Sequence, residues 1–104
     1  MTERGKAFQT VRAQVLLIRG LKNQLHKAMT ENEKKYFDNK LRAETQRMIR
    51  VEKEARKHMD SMKPEQYAFC AMYYLNAMSL ETAAESLNRS VRQCARYKKR
   101  IENE

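Results

Sequence analysis

The chain holds no tryptophan, one proline, two glycines and two cysteines in 104 residues. So few turn formers, alongside seven methionines, make the composition read as all-helical. No apolar run reaches the 18 residues a membrane helix needs, so neither a span nor a membrane partner is expected. The first residues are basic but lack the apolar core and cleavage site of a signal peptide, and a cytoplasmic location is expected. Cys70 and Cys94 are 24 residues apart without CxxC partners, and neither His26 nor His58 stands at metal-ligand spacing to them. Both cysteines fall at apolar positions of helical patterns, so they read as buried free thiols in a reducing compartment. Nothing in the sequence pairs a nucleophile with a base, and there is no glycine-rich phosphate loop. The chain therefore reads as a non-enzyme without metal or cofactor.

Acidic residues are also in short supply: 13 against 22 lysines and arginines, for a net charge of +9. That excess points to a polyanionic partner, nucleic acid first. Residues 1–30 carry six basic residues and one acidic. Residues 31–62 carry nine and seven. The remaining bases cluster from Arg89 to Arg100, where six occur with no acid between them.

Phe8, Val11, Val15, Ile18, Leu21, Leu25 and Met29 recur at three- and four-residue steps, which predicts an amphipathic helix from about Lys6 to Ala28. Leu16 and Leu17 widen its stripe. Gly20 inside it suggests a bend or a close helix contact. Thr30 and Glu33 form a capping-box pattern that restarts the chain as a second helix, expected from Glu31 to Ser61. Its stripe is Phe37, Leu41, Met48, Val51, Ala55, His58 and Met62, interrupted by Glu44. Short connections make such helices antiparallel neighbours, and a helix of thirty residues would be about 45 Å long. Residues 1–62 thus read as a helical hairpin suited to dimerisation or partner binding.

Pro64 opens a third helix, expected to reach Asn76 and apolar nearly all round. Its apolar run from Tyr67 to Leu75, with the aromatics Tyr67, Phe69, Tyr73 and Tyr74, reads as core rather than a base-stacking platform. Ser79 caps a fourth helix with Leu80, Ala83, Ala84 and Leu87 inside. Asn88 suits a left-handed turn. Ser90 and Gln93 form another capping box, opening a fifth helix whose inward positions are Val91, Cys94, Tyr97 and Ile101. The predicted fold is all-α: a long N-terminal antiparallel hairpin followed by a trihelical helix-turn-helix unit over residues 63–104.

From about residue 64 to 101 the chain resembles the helix-turn-helix of sigma-factor region 4 and of small phage-type regulators, the ArpU- and RinA-like late-gene activators. Ala84 stands at the small position where the two helices cross, Leu87 before the turn, Asn88 where glycine is usual, and Ser90 at the cap of the second helix. Cys94 and Tyr97 take that helix's inward positions. Arg89 departs from the pattern, because that turn position is normally apolar. The resemblance implies a sequence-specific, double-stranded-DNA-binding transcriptional regulator encoded by a phage or mobile element. The expected form is a homodimer, with RNA polymerase a further partner.

In the fifth helix, Arg92, Gln93 and Arg96 are expected to face bases, while Arg89, Ser90, Lys98, Lys99 and Arg100 are expected to hold phosphates. Two other readings are an adaptor or inhibitor whose hairpin binds a protein such as RNA polymerase, and a small terminase-like packaging subunit. The second would place the motif first rather than last.

Overall fold

The computed structural model describes residues 1–104, all of them helical or in short connections. Helix α1 (Glu3–Lys27) starts three residues earlier than its apolar stripe suggests. Thr2 is the cap, its hydroxyl accepting from the Gly5 amide at 3.0 Å. Thr30 caps α2 (Glu31–Lys57) in the same way, accepting from the Glu33 amide at 3.1 Å. Only half of the expected box forms there. The Glu33 carboxylate accepts from the Thr30 hydroxyl instead of reaching back to the Thr30 amide.

The two helices form the expected hairpin. Glu44 interrupts the α2 stripe for a reason: buried Gln14 donates to both its carbonyl, at 2.9 Å, and its carboxylate, at 2.6 Å. A polar pair thus replaces an apolar one, satisfied on both sides as burial requires.

Helix α2 ends at Lys57 rather than Ser61. Tight turns follow, with Met59 bonding back to the Arg56 carbonyl and Met62 to that of Met59, both at 3.0 Å. They tuck Met59 into the core. Pro64 disfavours helix at the residue just before it.

Helix α3 (Pro64–Cys70) continues without a break as one π-helical turn (Ala71–Leu75). Asn76 bonds back to the Ala71 carbonyl at 3.0 Å. Two arginines of α1 take the carbonyls that this wider turn and the following loop present. Arg12 Nη1 donates to Tyr73 and Met78, the latter at 2.9 Å, with its guanidinium 3.9 Å over the Tyr73 ring. Arg19 donates to Asn76 and Ala77. Ala77 itself sits at φ 50°, a conformation that favours glycine.

The core lies where the root of the hairpin meets the C-terminal helices. Phe8 and Val11 from α1, and Ala55 and Met59 from the end of α2, pack with Phe69, Cys70, Tyr74 and Leu75. Helices α4 (Leu80–Leu87) and α5 (Val91–Asn103) close it with Ala83, Ala84, Cys94 and Ile101. The aromatic run is part of this core, except for Tyr67, which is exposed: Phe69 stacks on Tyr73, and Tyr74 packs against Phe8 at 5.1 Å. Further out the two helices pack on each other, burying Gln14 and Leu21 of α1, but Ala55 is the one fully buried residue of α2.

Candidate nucleic-acid interface

Ser79 caps α4, accepting from the Thr82 amide at 3.1 Å. Ala83 and Ala84 are buried, and their small size lets α5 cross closely. The turn that follows is built from local chemistry. Asn88 adopts φ 55°, ψ 45°. The Arg89 amide donates to the Ala84 carbonyl at 2.9 Å and the Asn88 amide to that of Glu85 at 3.1 Å, the paired bonds of a Schellman ending. Ser90 then starts α5 with both halves of the capping box: its hydroxyl accepts from the Gln93 amide and its own amide donates to Gln93 Oε1, each at 3.1 Å.

Cys94 and Ile101 point inward and are buried, and Tyr97 lies half-buried against Phe69. Val91 corrects the sequence reading. It is 43% exposed, because inward contact on this helix begins one turn later, at Cys94.

The outward stripe is Arg92, Arg96 and Lys99, at steps of four and three, with Arg100 one turn beyond Arg96. All four side chains are exposed, and none has an ion pair or hydrogen bond. The other expected contact residues are engaged within the chain. Arg89 Nε lies 2.5 Å from Glu65 Oε1, and that hydrogen bond raises the arginine's pKa and lowers the glutamate's. Ser90 and Gln93 cap one another, leaving the Gln93 amide nitrogen free to donate. Lys98 turns towards Glu102, 3.1 Å away, instead of outward.

Glu102 is the residue the sequence reading missed. Its side chain is 7% exposed. It accepts from Tyr74 Oη at 2.6 Å and Gln9 Nε2 at 2.7 Å, besides its pairing with Lys98. Burial works to raise its pKa, but the hydrogen bonds from Tyr74, Lys98 and Gln9 outweigh it and leave the carboxyl below the ordinary value. Burial, and then the bond to Glu102, push the Tyr74 hydroxyl far up. The sequence signal was the lone acid at the i+4 position from Lys98, on the inner edge of an otherwise basic helix.

The basic excess of the first thirty residues also divides. Arg4, Arg12 and Arg19 all donate to backbone carbonyls of the C-terminal half. Half of that basic zone therefore serves the fold.

No group of three or more His, Cys, Asp or Glu side chains is placed to hold a metal ion, and no helix is long and apolar enough to cross a membrane. Compared with family models, with curated proteins and with solved structures, the chain gives no match.

Proposed function

We propose that the chain is a sequence-specific DNA-binding regulator of transcription that uses α4, the Asn88 turn and α5 as a helix-turn-helix. The observation that carries the reading is the outward stripe of α5, four cations without an intramolecular partner. Arg92 weighs most. It lies in the first turn of its helix, where the dipole disfavours a cation, and no acid in the chain compensates it. An anionic or strongly accepting partner would. The carbonyl and ring nitrogen of guanine accept bidentately from arginine, a contact worth about 1–3 kcal/mol of discrimination.

On this reading Arg92 and Arg96 face base edges, joined by the free amide of Gln93. Val91 is placed for apolar contact with a thymine methyl. Lys99 and Arg100 neutralise phosphates, and Arg89 joins them by exchanging Glu65 for a phosphate oxygen. A pair of chains would place two such helices about 34 Å apart along the duplex and read a two-fold site. Selection of duplexes from a random pool, followed by a gel-shift titration against increasing salt, tests the reading. It expects a recovered consensus and steeply salt-dependent affinity.

A second reading has its own observation. Leu17, Met29, Tyr36 and Ile49 are exposed on the hairpin, which would suit an adaptor that binds a protein such as RNA polymerase. Salt-insensitive absence of a DNA shift would favour it.

A further inference from the structure

The first turn of α1 grips the last turn of α5. Thr2 donates its amide and its hydroxyl to the Glu102 carbonyl, at 3.1 and 3.0 Å. Arg4 donates Nε to the Ile101 carbonyl and Nη2 to the Arg100 carbonyl, both at 3.0 Å. The last carbonyls of a helix carry the negative end of its dipole; here Arg100's also accepts from the Glu104 amide at 2.8 Å, while those of Ile101 and Glu102 have no amide partner from α5. A guanidinium presents its donors in a rigid plane, so bonding two successive carbonyls restricts where that helix end can lie. Gly5 permits the approach, since a Cβ there would stand 2.3 Å from the Glu102 carbonyl oxygen.

The opposite end of α5 is fixed by the Asn88 turn and the Ser90–Gln93 box. Between these two anchored ends runs the stripe of Arg92, Arg96 and Lys99. Arg4 is not on that stripe, and the Nε–Nη2 edge of its guanidinium is committed to carbonyls, with Nη1 left without a hydrogen bond.

We propose that Arg4 is a positioning residue for DNA recognition: it fixes the C-terminal end of α5 against α1, and so sets the angle at which Arg92 and Arg96 meet the bases, without touching DNA. The inference rests on the DNA-binding reading above. Bidentate base contacts demand a particular geometry, whereas contacts to phosphate by flexible lysines adapt. Loosening the clamp therefore weakens specific binding more than non-specific binding.

The test titrates the full-length wild type, Arg4→Gln and Arg4→Lys against a duplex selected by the wild type and against a scrambled duplex, at several salt concentrations. Circular dichroism checks that each variant is folded. Arg4→Gln is expected to lose roughly tenfold on the selected duplex, equivalent to about 1.4 kcal/mol. Its affinity for the scrambled duplex and its salt slope stay as in the wild type. Arg4→Lys, which keeps the charge and one donor at the helix end, falls between. It preserves the comparison if the glutamine variant does not fold. Equal losses on both duplexes, with a slope shallower by about 0.9, would mean that Arg4 itself contacts a phosphate, and would overturn the proposal. So would an unchanged ratio of specific to non-specific affinity. A wild type that selects no sequence overturns the DNA-binding reading itself, which is distinct from a wild type that selects and an Arg4→Gln variant that matches it.

Discussion

The Tyr74 hydroxyl donates to Glu102 at 2.6 Å, joining the π-helical turn that ends α3 to the last turn of α5. Glu102 is the one acid within α5, and it is buried where α1, α3 and α5 meet. It ties the unpaired cationic stripe to the rest of the molecule from behind. Removing its partner isolates the cost. Tyr74→Phe leaves a buried carboxylate short of one donor and should destabilise the fold by about 1–3 kcal/mol. Urea denaturation of the two proteins at neutral pH measures it.

The same carboxylate gives the fold an acid-sensitive component. Its folded pKa lies below the ordinary glutamate value. Its contribution to stability is therefore complete above the unfolded pKa and is lost as the pH falls through the lower, folded one. Glu102→Gln should be less stable than wild type at neutral pH and should show a flatter decline on the acid side. Urea midpoints taken from neutral pH down through the carboxylate range check the sign.

The two glycines of the chain should respond oppositely to alanine. Gly20 lies in α1 with no atom within 4 Å of an added Cβ, so Gly20→Ala should stabilise by up to about 1 kcal/mol. At Gly5 the added methyl meets the backbone of Glu102, and overpacking of that kind costs about 1–3 kcal/mol. Thermal unfolding of both variants should move the melting midpoint in opposite directions.

Both cysteines are buried and free. Burial pushes the Cys70 thiol up to about 12 and also raises that of Cys94. Since the thiolate is the reactive form, neither should be modified by a disulfide reagent at pH 8 in the folded protein, and both should react once urea unfolds it. Rapid native-state labelling of either would contradict the packing of α3 against α5.

Local chemistry was legible in the sequence. The caps at Thr30, Ser79 and Ser90, the left-handed turn at Asn88 and the apolar stripes all depend on residues within one or two turns of each other. The all-helical hairpin followed by three shorter helices came with them. Features that depend on distant neighbours were not legible. Gly20 drew attention by lying inside a helix, whereas Gly5 makes the close contact, with a residue 97 positions away. Arg4, Arg12 and Arg19 counted as charge until the carbonyls they bond were in place. The turns that end α2 at Lys57, before its apolar pattern stops, and the burial of Met59 within them were not legible either. At the candidate interface, spacing alone placed Arg92, Arg96, Lys99 and Arg100 outward, but it could not separate them from Arg89 and Lys98, whose carboxylate partners come from α3 and from the next turn of α5.

The DNA-binding claim is most directly tested by fluorescence anisotropy of wild type, Arg92→Ala and Lys99→Ala on a duplex selected from a random pool, with single-base variants of that duplex and a range of salt. The account predicts that Arg92→Ala loses its preference at one base pair, by about 1–3 kcal/mol, while binding other positions as before. It predicts that Lys99→Ala weakens binding to every duplex alike and lowers the salt slope by about 0.9. Wild-type affinity and an unchanged sequence preference in both variants would contradict it.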